Sequence, residues 1–311
     1  MTLQSHSLLR ICCMLISLIA IAGCSSTQNE LSLNEKRYGH AVVNDSKKIF
    51  VFAGSNRSGF LGDVEIIDPS TGHIEVLSNH VIPRRYFSAV WDGNQSIYLI
   101  GGISRKDGVG RLENRVEVFN TKTYEVTQAK PIPSPTRINT AVWLNDRIYV
   151  IGGTEFYKRR LTPSAQTLSY NPKLDEWSKH ANMPTAKTTR AVAKDGYIYT
   201  IGGYDRWAAI NVFERYDPDA DQWHTLDPLP FNVSAHSATI LGDDLYIFGD
   251  YKRLTATYSY NFTTQKWKNI TIGYKASRHN AATTIDDTIY VIGGNVAGNG
   301  PFLDYIQKFS F

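Results

Sequence analysis

The chain has 311 residues, 42% hydrophobic and 20% charged, a globular balance that excludes collagen-like, low-complexity and disordered compositions. Lysine and arginine number 33 against 29 acidic residues, and this net charge of +4 names no partner by itself. The three cysteines are Cys12, Cys13 and Cys24, which excludes disulfide, cysteine–metal and thiol-nucleophile chemistry from Ser25 onward.

Residues 1–10 carry one fixed side-chain charge, Arg10, and an apolar run from Ile11 to Ala22 follows, with Ser17 its only polar member. As a helix this run spans about 18 Å, short of the ~30 Å of a bilayer. A charged head, a short apolar centre and a small-residue exit predict a secretory signal. Ile21-Ala22-Gly23-Cys24 resembles the lipobox of bacterial lipoproteins. The resemblance implies a signal peptide over 1–23, acylation of Cys24 and a tether over 24–30. It also implies an exported protein that meets the membrane through its lipid anchor alone. Ser25 resembles the sorting pattern for the outer membrane, facing the periplasm.

Beyond the tether the sequence repeats. The runs IFVFAG, IYLIGG, IYVIGG, IYTIGG, LYIFGD and IYVIGG end at Gly54, Gly102, Gly153, Gly203, Asp250 and Gly294. From Gly54 to Gly294 are five steps averaging 48 residues, so one repeating array is expected, not two independent domains. Ala41, Ala89, Ala141, Ala191, Ala238 and Ala282 open a small apolar run in each unit, and four residues earlier stand Arg37, Arg85, Arg137, Lys187, Ser234 and Arg278. Later come Ile67-Asp68, Phe119-Asn120, Tyr170-Asn171, Tyr216-Asp217 and Tyr260-Asn261, with Ile74, Val126, Trp177, Trp223 and Trp267 six residues past the Asp or Asn. Each unit therefore reads as four β-strands joined by tight turns, and the glycine pair marks a close backbone approach.

These landmarks make the chain resemble kelch-repeat proteins. The resemblance covers residues 31–311 and implies an all-β, six-bladed β-propeller. Ile74, Val126 and Asp250 depart from the kelch pattern and read as drift. The last unit ends after its third strand, and Glu30-Leu31-Ser32-Leu33 is the candidate to supply the fourth and close the ring.

In such a unit the segment leading into strand one and the loop leaving the glycine pair share one end. The loops 55–63, 103–115, 154–164, 204–211, 251–256 and 295–304 carry eleven cations against six acids, and the lead-in segments ten against one. This face is thus near +14, and a concave surface of one sign concentrates anions. The candidate ligand-binding residues are Arg37, Arg85, Arg137, Lys187 and Arg278, then Arg57, Arg105, Arg159, Arg206, Arg253 and Trp207 in the loops.

The seven histidines after residue 24 give no metal-site spacing, and no nucleophile elbow, HExxH pair or phosphate loop is present. The expectation is a cell-envelope lipoprotein, monomeric and without cofactor, that binds an envelope protein or an acidic glycan and not nucleic acid. The alternative is a sialic acid mutarotase, an activity found in periplasmic proteins that this chain resembles, which would depend on Glu113 or Glu155 as acid/base.

Overall fold

The computed structural model describes residues 31–158 and 160–311; the expected signal peptide, Cys24, the tether and Arg159 lie outside the described residues. Among the described residues there is no helix. The chain runs through six successive antiparallel sheets whose strands pair in sequence order. The first comprises Ala41–Asn44, Ile49–Phe52, Val64–Ile67 and Ile74–Leu77, and the second Ser88–Trp91, Ser96–Ile100, Val116–Asn120 and Val126–Ala129. The third holds Thr140–Leu144, Arg147–Ile151, Thr167–Asn171 and Glu176–Lys179. Thr188–Lys194, Tyr197–Tyr204, Ala209–Asp217 and Gln222–Thr225 form the fourth. The fifth is Ser237–Leu241, Asp244–Phe248, Thr257–Asn261 and Lys266–Asn269, and the sixth has three strands, Ala281–Ile285, Thr288–Ile292 and Ile306–Ser310.

The second strand of each sheet is an almost continuous β-branched and aromatic run because both of its faces are covered, as in Ile49–Phe52, where every residue is buried. Neighbouring sheets interlock through these runs: Phe119 of the second sheet meets Phe50 and Phe52 of the first at 5.7 and 5.2 Å between ring centres. The spaced tryptophans are cross-strand partners. Tyr170 faces Trp177, Tyr216 faces Trp223 and Tyr260 faces Trp267 in register, and each pair brings its rings to about 5 Å. The indole nitrogens of Trp177 and Trp223 then donate to the carbonyls of Lys130 and Ala181, in the segments that leave the preceding sheets.

The glycine pair answers two separate crowding problems, which Gly152-Gly153 shows clearly. Both have positive φ, +60° and +95°. A Cβ on Gly152 would lie 2.7 Å from the Lys187 carbonyl of the next sheet, and one on Gly153 would lie 2.7 Å from the Arg137 carbonyl of its own lead-in. The first glycine lets the neighbouring sheet approach, and the second lets the chain fold back on itself.

The first strands of consecutive sheets lie side by side, and that of the sixth lies against that of the first. Between them, Asn44 donates to Thr283 Oγ1 and to the Thr284 carbonyl. Among the described residues the N-terminal segment adds no fourth strand to the last sheet: Ser32 makes one isolated bridge with Tyr305, just before the Ile306–Ser310 strand, and Leu33 N donates to the Asp304 carbonyl at 2.8 Å.

Candidate functional site

The lead-in cations occupy two positions, where the sequence landmarks suggested one. Arg37 and Lys187 have no exposed surface; Arg37 pairs with Glu65 and Lys187 with Glu214, each on the third strand of its own sheet. In the second sheet this place belongs to Arg84, paired with Glu117, and not to Arg85. Arg37 and Lys187 are therefore internal cations that no ligand reaches, which corrects their assignment to the binding face. Arg85, Arg137 and Arg278 stand one residue later, opposite Ile103, Thr154 and Asn295.

The offset has a local cause. Ala41 pairs with Phe52, two residues before Gly54, whereas Ala89 pairs with Leu99, three before Gly102. In the fourth sheet an irregularity between Thr188 and Arg190 shifts the register. Counting back from the alanine therefore lands on different positions. The third-strand glutamates escaped sequence reading, although the signal was available: Glu65, Glu117 and Glu214 recur in VEII, VEVF and FERY. The three buried pairs also neutralise three of the cations credited to the basic face.

A second repeated feature organises the centre of that face. Gly39, Tyr86, Ile138, Ala235 and His279 all take φ between about +50° and +61°. Their main chains join in series: His279 N donates to Ala235 O, Gly39 N to His279 O, Tyr86 N to Gly39 O and Ile138 N to Tyr86 O, at 2.6–3.1 Å. The fourth unit supplies no positive-φ residue at this place. Instead the Arg190 guanidinium spans the gap, with Nε 3.1 Å from the His236 carbonyl and Nη1 3.5 Å from that of Asn139.

A cavity of about 900 Å³ opens over this gap. Its wall combines the glycine-exit residues Thr154, Leu161, Tyr204, Arg206, Trp207, Asp250, Tyr251, Lys252 and Arg253 with the lead-in residues Arg137, Ile138, Thr188–Arg190, Ser234–His236 and His279. The two sets of segments thus gather at one end. Of the sequence candidates, Arg137, Arg206, Arg253 and Trp207 line the cavity. Arg85 instead lies under Tyr38, donating to its hydroxyl, with the Phe60 ring 5.1 Å from the guanidinium. Arg278 is nearly buried, stacked 3.9 Å from the Tyr251 ring centre and donating to the Tyr251 carbonyl. Arg57 and Arg105 are exposed on separate hairpins, Arg57 on the one that follows the second strand of the first sheet and Arg105 on its counterpart in the second.

Trp207 is 80% exposed and carries Arg206 against its ring at 5.0 Å. Tyr204 and Tyr251 are also exposed on the wall. Five cations, Arg137, Arg190, Arg206, Lys252 and Arg253, face one carboxylate, Asp250. That aspartate is no drift. It is almost fully buried and accepts the N–H groups of Ser234, Lys252 and Arg253, while Arg253 Nε lies 3.4 Å from Oδ2. Burial raises its carboxyl, and these donors more than offset that and hold it below the usual carboxylate range. It thereby fixes the loop that presents Lys252 and Arg253.

Neither glutamate expected of a mutarotase is placed for acid/base work in the cavity. Burial alone would raise the Glu113 carboxyl, but bonds from Arg115 and Ser104 hold it at about 2, fixed as an anion. Glu155 lies on the hairpin strand Thr154–Tyr157 but is not part of the cavity wall. Among the described residues no cluster of His, Cys, Asp and Glu could hold a metal ion. His236 and His279 line the cavity, and burial pushes their imidazoles down to about 3 and about 4.

Comparison with known proteins matches this architecture to the KLHDC2/KLHL20/DRC7 Kelch-repeats domain over residues 23–191 and, one unit later, 73–250. Among curated proteins the chain is 27% identical over 230 residues to the Kelch-like protein terF of Aspergillus terreus, covering 68% of this chain and 50% of that protein. It is 27% identical over 264 residues to the Kelch repeat and BTB domain-containing protein 12 of Danio rerio, covering 73% and 41%. With the human Kelch-like protein 33 the identity is 33% over 138 residues, covering 43% and 26%. The chain spans half or less of the length of these relatives.

Proposed function

The chain belongs to the Kelch-repeat family, and from that premise we propose that it is a non-enzymatic β-propeller that binds a partner protein bearing an acidic surface. The contact is made by the face where Arg137, Arg206, Lys252, Arg253, Trp207, Tyr204 and Tyr251 converge. The observation that carries this reading is the composition of the cavity wall: five cations, exposed aromatic rings and one carboxylate already bonded to its own loop. Guanidinium groups beside an exposed indole suit carboxylate-bearing segments, with aromatic residues as anchors. The mutarotase reading rests on Glu113 or Glu155, and Glu113 is held as an anion by Arg115 and Ser104 while Glu155 is not part of the cavity wall, so binding is the better reading.

The same proposal includes six blades closed into a ring, supported by the contact of the first and sixth sheets and by the Ser32–Tyr305 bridge. It also includes export and a lipid anchor at Cys24, supported by the sequence pattern of residues 11–24. The test is capture from a cell-envelope extract by the full chain, compared with an Arg206→Glu/Arg253→Glu variant. Partners captured by the wild type should be lost from that variant and kept by Arg57→Glu. If reversal at Arg206 and Arg253 leaves every interaction intact, the face is wrongly assigned.

A further inference from the structure

The loops that follow the second strands differ in reach. In the second sheet Ile103–Lys106 pairs with Val109–Leu112, and in the third Thr154–Tyr157 pairs with Arg160–Pro163, four residue pairs in each hairpin. The two correspond residue for residue: each starts directly after the glycine pair and closes through a two-residue turn. Their bases are held alike, Ile103 opposite Arg85 and Thr154 opposite Arg137 of the lead-in segments. Among the described residues no other unit builds so tall a hairpin. The first has two pairs, Ser55–Asn56 with Gly59–Phe60. The fourth turns back after Tyr204, which faces Ala209, and the sixth has the single bridge of Asn295 with Phe302. A four-residue arm runs about 10 Å. The two tips, on adjacent sheets, therefore stand level with each other and reach further than the paired part of any other exit loop.

Those tips are uncovered. Val109 is 69% exposed, Phe156 53% and Tyr157 59%. Phe156 and Tyr157 are neighbours on one arm and so point to opposite sides of the hairpin, yet neither ring is covered. Cations surround them. Arg105, Lys106, Lys158 and Arg160 are exposed, with Lys106 opposite Val109 and Arg160 opposite Tyr157 in the ladders. Lys158 Nζ lies 5.3 Å from the centre of the Tyr157 ring. Among the described residues none of the four forms an ion pair, and the acids of these tips are Asp107 and Glu155.

A strong protein contact surrounds a continuous apolar centre with a polar rim. Here three apolar side chains stand apart on projections, with cations between them. Such tips suit a flat, yielding surface that both reach at once. At the boundary of a bilayer aromatic rings settle at headgroup level, and lysine and arginine beside them meet lipid phosphates. The excess of cations selects anionic lipid.

We propose that the hairpins Ile103–Leu112 and Thr154–Pro163 dock this end of the protein on an anionic lipid bilayer, with Val109, Phe156 and Tyr157 entering the headgroup layer and the flanking cations on the phosphates. The inference rests neither on the partner of the cavity, whose contact residues Arg206, Lys252 and Arg253 belong to the fourth and fifth units, nor on a lipid at Cys24.

The test places an environment-sensitive fluorophore on Val109→Cys in the full chain, with Cys12→Ser, Cys13→Ser and Cys24→Ser so that the tip alone is labelled. Vesicles of phosphatidylglycerol should shift its emission to the blue, and brominated acyl chains should quench it. Vesicles of phosphatidylcholine should do neither. The same label on Asp219→Cys, in a turn at the opposite end of the fourth sheet, should not respond. In Lys158→Glu/Arg160→Glu, changed on the other hairpin, the lipid needed for half of the Val109→Cys shift should rise at least about tenfold, since each basic residue near an anionic surface is worth about fivefold. An unshifted label with phosphatidylglycerol, an equal shift with phosphatidylcholine, or an unchanged midpoint in folded Lys158→Glu/Arg160→Glu would each overturn the proposal. If that variant does not fold, salt decides on the labelled parent chain: the shift should fade at about 1 M, and a shift that persists refutes the docking. Loss of protein capture in Phe156→Ser/Tyr157→Ser, with a Val109→Cys label that ignores phosphatidylglycerol, would give the tips to a protein partner and likewise refute it.

Discussion

Lys187 Nζ lies 2.8 Å from Glu214 Oε2, and neither side chain has any exposed surface. Beyond this ion pair neither group finds a hydrogen-bond partner. The corresponding Glu65 also accepts the main-chain N–H groups of Asn34 and Glu35, and Arg37 donates to the carbonyls of Glu35 and Ala53. Lys187–Glu214 is thus the least supported of the three buried pairs.

That difference sets the first expectation. Lys187→Met should destabilise the fold by about 3–5 kcal/mol, because it strands a buried carboxylate. The double variant Lys187→Met/Glu214→Leu should recover most of the loss or exceed the wild type, since two apolar side chains leave no charge to desolvate. Urea denaturation of the two variants decides it. A double variant as unstable as the single one would show that the pair itself holds the fourth sheet.

The same pairs mark how far the sequence could be read. Six units, five of four strands and the last of three, were legible because β-rich runs and glycine pairs recur every 48 residues or so. Which cations turn inward and which reach the cavity was not legible. Sequence spacing from the alanine treats Arg37, Arg85 and Lys187 as equivalents, but a one-residue register change in the first sheet and the irregularity at Thr188–Arg190 in the fourth turn Arg37 and Lys187 inward. A single-residue shift moves a side chain to the opposite surface of the strand. Arg190 is legible only through this irregularity and through the missing positive-φ residue, neither of which leaves a motif. Asp250 read as a lapse from the glycine pattern, because nothing in its neighbours announces the loop that it caps.

Stability should fall on acidification below neutrality. His40, His236 and His279 have imidazoles pushed by burial to about 3, about 3 and about 4, all below their ordinary value of 6.5. Between pH 6.5 and about 4 the unfolded chain binds protons at these sites and the folded chain does not, so unfolding is favoured as pH drops. Each histidine contributes a slope of roughly 1.4 kcal/mol per pH unit through that window. Denaturation midpoints measured at intervals from pH 7 to pH 4.5 should decline steeply in the wild type and less so in His236→Gln. Equal slopes in the two proteins would remove His236 from this account.

Asp250→Ala should cost about 1–3 kcal/mol, because it removes the acceptor for three main-chain donors at Ser234, Lys252 and Arg253. Asp250→Asn keeps an acceptor oxygen and should lose less. The sharper readout is hydrogen exchange at the amides of Lys252 and Arg253, which should quicken in Asp250→Ala while amides of the Asp244–Phe248 strand stay protected. Unchanged exchange at both positions would show that the loop is held by other contacts.

Trp207→Ala separates recognition from folding. The side chain is 80% exposed and its ring meets the Arg206 guanidinium at 5.0 Å, an exposed cation–π contact worth about 0.5–1 kcal/mol at most. Thermal or urea unfolding should therefore shift by no more than that. Capture of an acidic partner should weaken well beyond the stability change, since a large exposed indole beside a cationic cavity is the kind of anchor that dominates an interface. Measuring both quantities on one preparation makes the outcome unambiguous. Weaker capture at unchanged stability places the indole in the contact, and unchanged capture confines the partner to the charged part of the rim.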